Sequence, residues 1–404
     1  MKICHISDVH FCDKYLDEVN RVAAFATQYL HELENRPELI VLSGDLFDHR
    51  LEQNSPAYLA AIRWVCDLGN LAPVFILQGT YSHDAPHALD VFRHIDSAYR
   101  VYVSDRIEQV TLEPNDGDPI FNTWSCSIPA LAHDMIAISS LPAVNKGVVA
   151  AAVGAENAGA AVGEAVAQLL TGWAESHRQA RAGGIPTIVV SHGTVSGSYT
   201  EHGVPMAGLD HEYTVGTLFA AEASAVMLGH IHRHQAWEKD GRRIAYPGSL
   251  GRLHFGEEGD KGFLMWEVSA HEARAEFVPV PARKLLEVEY AGTPDMEQLA
   301  QLAAEVNGTK NLRVRVRYAV DVEHKDSVDR GAIERLFAFA DLKIEGRIIP
   351  VERQRSAGIG GAISIEDKLK MWGAVTGTDV DPLIERLHRL HETYSHGEAC
   401  SDAA

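Results

Sequence analysis

This sequence predicts a layered α/β fold, a β-sandwich flanked by helices, followed by a smaller C-terminal α/β unit and a helical tail. Three observations carry that reading. Up to about residue 235, short continuous apolar runs alternate with longer helix-like stretches, as expected of strands buried on both faces. Polar Asp and His residues recur just past the ends of those runs. From Trp237 to about Val280 the pattern changes to antiparallel strands, with a turn signal at Asp240-Gly241 in KDGRR.

In chain order, KICHI, ELIVLSG, PVFILQG, PTIVVSH and SAVMLGH read as strands, and residues 16–34 and 56–68 read as helices. The stretch GVVAAAVGAENAGAAVGEAVAQLL reads as an Ala/Gly-rich helical insertion, interrupted by Glu156 and Glu164. GFLMWEV and AEFVPV complete a first domain over residues 1–280. PVPARK is a linker into a second unit, residues 281–350, with strands in LLEVEY, LRVRVRY and LKIEGRII and helices near 294–306 and 329–340. Residues 351–404 begin with a glycine-rich connector, QRSAGIGGA. Two capped amphipathic helices follow, one starting at Ser364 with Asp367, the other at Asp381-Pro382.

The bulk numbers narrow the function. Of 404 residues, 46% are hydrophobic and 23% charged, ordinary globular values that exclude wholesale disorder. No apolar run is long enough to span a bilayer, and the N-terminus does not read as a signal peptide, so a cytoplasmic protein with no membrane partner is expected. Five cysteines without a CxxC pair fit a reducing compartment. The net charge of −20 argues against a broad polyanion-binding surface, so nucleic-acid contact would need a local patch or bound cations.

The chemistry is carried by five segments that end apolar runs: Asp8 with His10, Asp45 with Asp48, Ser82 with His83, Ser191-His192, and Gly229-His230-Ile231-His232. Strand carboxyl ends of an open α/β sheet converge on one crevice, so these groups should meet at one rim. Each segment alone is weak, because a lone histidine is usually structural, but all five in order form a constellation. Carboxylates with imidazoles suit Mn, Fe or Zn. A carboxylate between two such ions can bridge them and activate a shared water.

D-x-H, GDLFD, the glycine turn ending in His83-Asp84, S-H-G and G-H-I-H resemble the five signatures of the calcineurin-like metallophosphoesterases. Within that superfamily the chain is most similar to SbcD-type DNA repair nucleases, in GDLFD and in YPGSLGRLHFGEEGDKGFLMWEV, with a phage-like GTxSHD variant of the third signature. The resemblance implies two divalent ions, expected to be Mn(2+), the first held by Asp8, His10, Asp45 and His232. The second would take Asp45 as the bridge, Ser82, His192 and His230. His83 would touch the scissile phosphate or protonate the leaving oxygen, with Asp84 orienting it. Ser82 departs from the family's asparagine, and a hydroxyl on a one-carbon stem is a shorter, weaker donor. The resemblance further implies a capping role for the small unit, DNA as substrate, an SbcC-like ABC-type ATPase as partner and a homodimer.

Arg252 and Tyr81 are candidate substrate contacts, the latter by stacking on a base. His5 reads as a core histidine, and His87, His202, His211, His234 and His254 as structural or exposed. Arg313, Arg315 and Arg317 share one strand face, either solvated or tracking phosphates. Two rival functions remain open: a small-molecule phosphodiesterase acting on cyclic nucleotides, favoured by the acidic charge, and a non-catalytic DNA- or partner-binding subunit.

Overall fold

The computed structural model describes residues 1–115, 118–124, 135–200, 202–205, 212–257, 259–350 and 359–395. The first half alternates as expected: β1 (Lys2–Ile6), α1 (Leu16–His31), β2 (Leu39–Leu42), α2 (Pro56–Gly69), β3 (Val74–Leu77) and β4 (Val101–Ser104). Next come β5 (Glu108–Glu113), β6 (Ile120–Thr123), β7 (Ile136–Leu141), the insertion helices α3 (Lys146–Val153) and α4 (Ala155–Ala182), β8 (Thr187–His192), α5 (Val215–Ala220) and β9 (Ala225–Gly229). Gly154, at φ 86°, separates the two insertion helices. Antiparallel strands follow: β10 (Gln235–Lys239), β11 (Arg242–Tyr246), β12 (Gly262–Val268) and β13 (Ala273–Pro279). The β10–β11 turn has Asp240 at φ 52° and Gly241 at φ 73°, the double positive-φ geometry of an Asp-Gly hairpin.

Two sheets result, ordered β13-β12-β1-β2-β3-β4 and β10-β11-β9-β8-β7-β5-β6. Period-two alternation decides which layer each side chain enters. Ile3, Leu39, Val41, Phe75 and Leu77 face inward against Val110, Ile138, Val190 and Met227 of the other sheet. Their neighbours Cys4, Ile6, Ile40, Leu42, Val74 and Ile76 face α1 and α2. On the far side, Val189, Val226 and Leu228 pack with Val166 and Leu170 of α4 and Leu218 of α5. The result is a helix–sheet–sheet–helix sandwich. Within each sheet the run β1-β2-β3-β4 or β7-β8-β9 is parallel, so its carboxyl ends lie on one edge.

A third sheet, of three strands, has the order β14 (Lys284–Tyr290), β15 (Leu312–Asp321), β16 (Asp341–Ile349). Helices α6 (Met296–Val306) and α7 (Arg330–Leu336) intervene, and α8 (Ile365–Thr376) and α9 (Asp381–Ser395) follow. The chain divides into two compact units: Met1–Val288 with Gln298–Val316 and Ile333–Ile344, and Glu289–Glu297 with Arg317–Ala332 and Glu345–Ala404. Helix α1 stops at His31, short of the expected residue 34, because residues 32–35 form a turn closed by Asn35 N–H on the Glu32 carbonyl (2.9 Å). Most of the glycine-rich connector lies outside the described residues, and Ile359–Gly361 forms a single 3₁₀ turn. Ser364 caps α8 through Asp367 N–H at 3.0 Å. Among the described residues no helix is long and apolar enough to cross a membrane.

Candidate metal centre

Beyond their carboxyl ends, β1 and β2 remain zipped by backbone bonds from Asp8 N–H to Gly44 O (3.1 Å), His10 N–H to Asp45 O (3.1 Å) and Phe11 N–H to Leu46 O (2.8 Å). These bonds hold non-glycine residues in the left-handed region: Asp8 at φ 52°, His10 at 55° and Asp45 at 51°, with His230 at 102° after β9. Such a conformation costs about 1–3 kcal/mol per residue and persists where the surroundings over-determine it. Here it turns four polar side chains into two neighbouring donor groups. Gly44 and Gly229 make the close approach possible, because a Cβ on either would collide with the His192 ring.

Two groups of donors result. In the first, Asp8 Oδ1 lies 4.0 Å from His10 Nε2 and 3.8 Å from His232 Nε2, and the two imidazole nitrogens are 3.0 Å apart. In the second, Asp45 Oδ2 is 3.2 Å from His192 Nε2, with His230 completing the set. The His192 ring orientation is locked, since Nδ1–H donates to the Ser43 carbonyl at 2.8 Å and Nε2 is left to face Asp45. His230 N–H donates to both Asp8 oxygens at 3.1 Å, tying the two groups together.

The electrostatics follow from burial and pairing. Burial opposes charge on both Asp45 and His192, yet each stabilises the other's ion. The Asp45 carboxyl is held far below its usual range, and His192 is pushed up to about 10. His10 is driven well below its usual value by burial and by neighbouring His232. Burial also opposes charge on His232, but Glu257 and Asp8 outweigh it and raise the ring's affinity for a proton. Carboxylates and imidazoles converging this way fit divalent first-row cations.

The third signature folds differently from the sequence expectation. Thr80, directly after Gly79, donates its N–H to Asp45 Oδ1 at 2.6 Å, and its hydroxyl lies 3.2 Å from both Asp45 Oδ2 and His192 Nε2. Ser82, assigned that place from sequence, is exposed. The reason is the turn: bonds from His83 N–H and Asp84 N–H back to the Thr80 carbonyl (2.9 and 2.8 Å) make residues 80–84 a helical turn, which carries Tyr81 and Ser82 outward. A Cβ at Gly79 would collide with Asp45, so glycine is required there.

Asp84 does not orient His83. Fully buried, its carboxylate accepts from Leu46 N–H (3.3 Å), Phe47 N–H (3.1 Å) and Gly79 N–H (3.0 Å), pinning the second and third signature loops to each other. His83 is instead positioned by Nδ1 on the Asp48 carbonyl. Its ring stands edge-on to that of His10 with centroids 4.8 Å apart, and His10, Asp48 and His83 form a third cluster beside the first. Asp48 Oδ1 is 3.8 Å from His10 Nδ1.

Arg252 is engaged within its own loop in this structure. Its guanidinium donates to the carbonyls of Glu257 (3.2 Å), Arg283 and Gly259, which leaves it occupied in holding a loop. Tyr81 is 38% exposed and stays accessible. The arginine face is engaged with carboxylates, buried at Arg313 and open to solvent at Arg317. Arg313 is fully buried, bonded to Asp341 (2.9 Å) and the Leu253 carbonyl and packed over Tyr15 and Phe255. Arg315 pairs with Glu287, and Arg317 with Glu289 and Glu345. His5 is a core histidine, bonded to Ser43 Oγ at 2.8 Å. His254 is exposed and stacks parallel to His232, and His211 lies outside the described residues.

Sequence reasoning gave Thr80 only as the fallback ligand to Ser82, and it missed Glu257. Glu257 is fully buried, 3.3 Å from His232 Nδ1, and held by Lys261 Nζ (3.1 Å) and Leu253 N–H (3.1 Å). The only sequence signal was the i,i+4 spacing of Glu257 and Lys261, which is common on surfaces.

Residues 1–234 match the calcineurin-like phosphoesterase family, and all the donor groups above fall within that span. The chain is a calcineurin-like phosphoesterase. No curated protein matches it. Among solved structures it is similar to GAP50, the anchor in the inner membrane complex of Plasmodium, at 16% identity and a TM-score of 0.44, covering 69% of this chain and 84% of that one. A second solved structure matches at 11% identity and a TM-score of 0.33, covering 68% and 98%. As a calcineurin-like phosphoesterase, the chain has the layered α/β fold of that family and residue groups suited to metal-dependent phosphoester hydrolysis.

Proposed function

We propose that this phosphoesterase is a two-metal phosphodiesterase that cleaves DNA, in the manner of SbcD-type nucleases. The observation that carries the reading is the pairing of two complete donor groups, Asp8/His10/His232 and Asp45/His192/His230, across the Asp45 loop. Asp8, His10 and His232 would hold one divalent ion, His192, His230 and the Thr80 hydroxyl the other, and Asp45 would serve both. Ions held there supply Lewis acidity and a water acidic enough to attack phosphorus near neutral pH. Manganese suits the imidazole-rich set better than magnesium, which prefers oxygen.

The chain's own residues do the rest. Asp48, through its carbonyl, holds His83 with Nδ1–H engaged, so that in the imidazolium form the other ring nitrogen carries the proton given to the leaving oxygen. Asp84 keeps the Asp45 and Thr80 loops in register. The DNA assignment rests on likeness in GDLFD and in Tyr246 to Val268, and a cytoplasmic protein whose tail helices α8 and α9 dock an SbcC-like ATPase, with dimerisation, belongs to the same reading. The net charge of −20 favours a second reading, a phosphodiesterase of small nucleotides.

End-labelled linear duplex and single strands, cyclic nucleotides and bis(p-nitrophenyl) phosphate, each with Mn with and without chelator, separate these readings. DNA cleavage that chelation abolishes is expected. Hydrolysis of cyclic nucleotides with intact DNA would favour the second reading, and inertness toward every ester would leave a non-catalytic subunit.

A further inference from the structure

Lys261 is 2% exposed, and lysine is almost never buried that deeply unless its charge is paired. Its ammonium donates to the His232 carbonyl at 2.9 Å and to Ser249 Oγ at 2.8 Å, and lies 3.1 Å from Glu257 Oε2. His232 is therefore held at two places. Its carbonyl accepts from Lys261 and from Ser249 N–H (3.3 Å), and its Nδ1 faces Glu257 Oε1 at 3.3 Å. One cation joins the two.

Stability is weak ground for an ammonium at this position, because a buried ion pair is often no better than well-packed apolar residues of similar volume. Direction is the stronger ground. An ammonium carries three protons and no acceptor, so it can tie a carbonyl, a hydroxyl and a carboxylate to one point. Each of those three belongs to the support of His232. Ser249 follows Gly248, which sits at φ 84° so near the histidine's main chain that a Cβ there would lie 3.0 Å from the His232 carbonyl oxygen. Glu257 is further fixed by Leu253 N–H on Oε2 at 3.1 Å, and its carbonyl accepts from Arg252 Nε at 3.2 Å. The chain from Ser249 to Glu257 thus folds back on His232, and Lys261 closes it. His192, in the other donor group, is oriented by the Ser43 carbonyl.

We propose that Lys261 is a positioning residue for the first donor group: by tying the His232 carbonyl to Ser249 and Glu257, it fixes where His232 Nε2 points and sets the affinity of the ion that Asp8, His10 and His232 would hold. The inference rests on the two-metal reading and adds to it the residue on which one site depends and the other does not.

Mn titration calorimetry on the full chain tests it. Lys261→Met keeps an apolar stem in the same space and removes the donors. That variant should bind one Mn about tenfold or more weakly and the other as the parent does. Combined with Glu257→Gln, it should weaken the same step little beyond the worse single variant, since both changes act on one imidazole. Parental affinity for both ions overturns the proposal, and so does equal weakening of both, which is what general loosening of the fold produces. Losses that multiply in full with those of Glu257→Gln overturn the shared clamp. Should Lys261→Met not fold, Ser249→Ala removes one acceptor and leaves the lysine charged. It should weaken the same step by about threefold, and two parental steps there overturn the proposal. Absence of Mn binding by the parent chain overturns the two-metal reading itself, and the clamp with it.

Discussion

Glu257 stands behind His232, its Oε1 3.3 Å from Nδ1, while Lys261 Nζ lies 3.1 Å from its other oxygen. His192 is backed by a backbone carbonyl instead, so the two donor groups are built unequally. A carboxylate behind an imidazole fixes its orientation and strengthens it as a donor, and losing such a partner typically weakens metal affinity by about 10–100-fold. Glu257→Gln should lower the affinity of one of two Mn ions within that range in calorimetry. Glu257→Ala should also unfold at lower temperature, because buried Lys261 loses its ion pair with Glu257. Two unaltered binding steps in Glu257→Gln would refute the link.

Thr80 and Ser82 provide a contrast within one turn. Removing the Thr80 hydroxyl in Thr80→Ala takes an oxygen from beside Asp45 and His192, and should weaken the second Mn step by about tenfold. Ser82→Ala should keep both binding steps, since that side chain points outward. The reverse pattern would restore Ser82 as the ligand.

His83→Ala should abolish turnover while two Mn ions still bind, because His83 stands beside the first donor group and is held by the Asp48 carbonyl. Loss of one Mn step in calorimetry would instead make His83 a ligand.

Arg252→Ala should act on stability and not on substrate. Three carbonyls lose their donor, two of them in part-buried bonds, and a desolvated acceptor left unpaired costs about 1–3 kcal/mol. Thermal denaturation should show the loss, while KM for bis(p-nitrophenyl) phosphate stays at the parent value. A raised KM at unchanged stability would return Arg252 to the substrate.

His177 ties stability to pH. Its Nε2 pairs with Ser139 Oγ at 2.8 Å and Nδ1–H donates to the Ala221 carbonyl at 2.6 Å, and burial lowers its pKa from 6.5 to about 4. Between those values the unfolded chain takes up a proton that the folded chain refuses, so stability falls as pH drops from about 6.5 toward 4, by up to about 3 kcal/mol. Denaturant titrations at pH 7 and pH 5 should show the decline, and His177→Gln should flatten it. An unchanged slope in that variant would assign the decline to other groups.

Much of this protein was legible in its sequence because the informative patterns are local. Continuous apolar runs marked β1, β2, β3, β8 and β9, and Asp240-Gly241 marked the β10–β11 hairpin, since strand burial and turn geometry depend on a few adjacent residues. Asp8, His10, Asp45, His192, His230 and His232 could be picked out because parallel strands must deliver their carboxyl ends to one edge. What the sequence could not decide was which neighbour a side chain meets across space. Whether Thr80 or Ser82 reached Asp45 depended on a turn closed by two backbone bonds, which keeps Thr80 against Asp45 and leaves Tyr81 and Ser82 exposed. Asp84 bonds to backbone 37 and 38 residues away, Glu257 supports a histidine 25 residues upstream, and Arg252 and Arg313 find carbonyls and rings in a packed interior. A charged side chain reads as solvent-facing until packing supplies its partner, and only the tertiary fold supplies it.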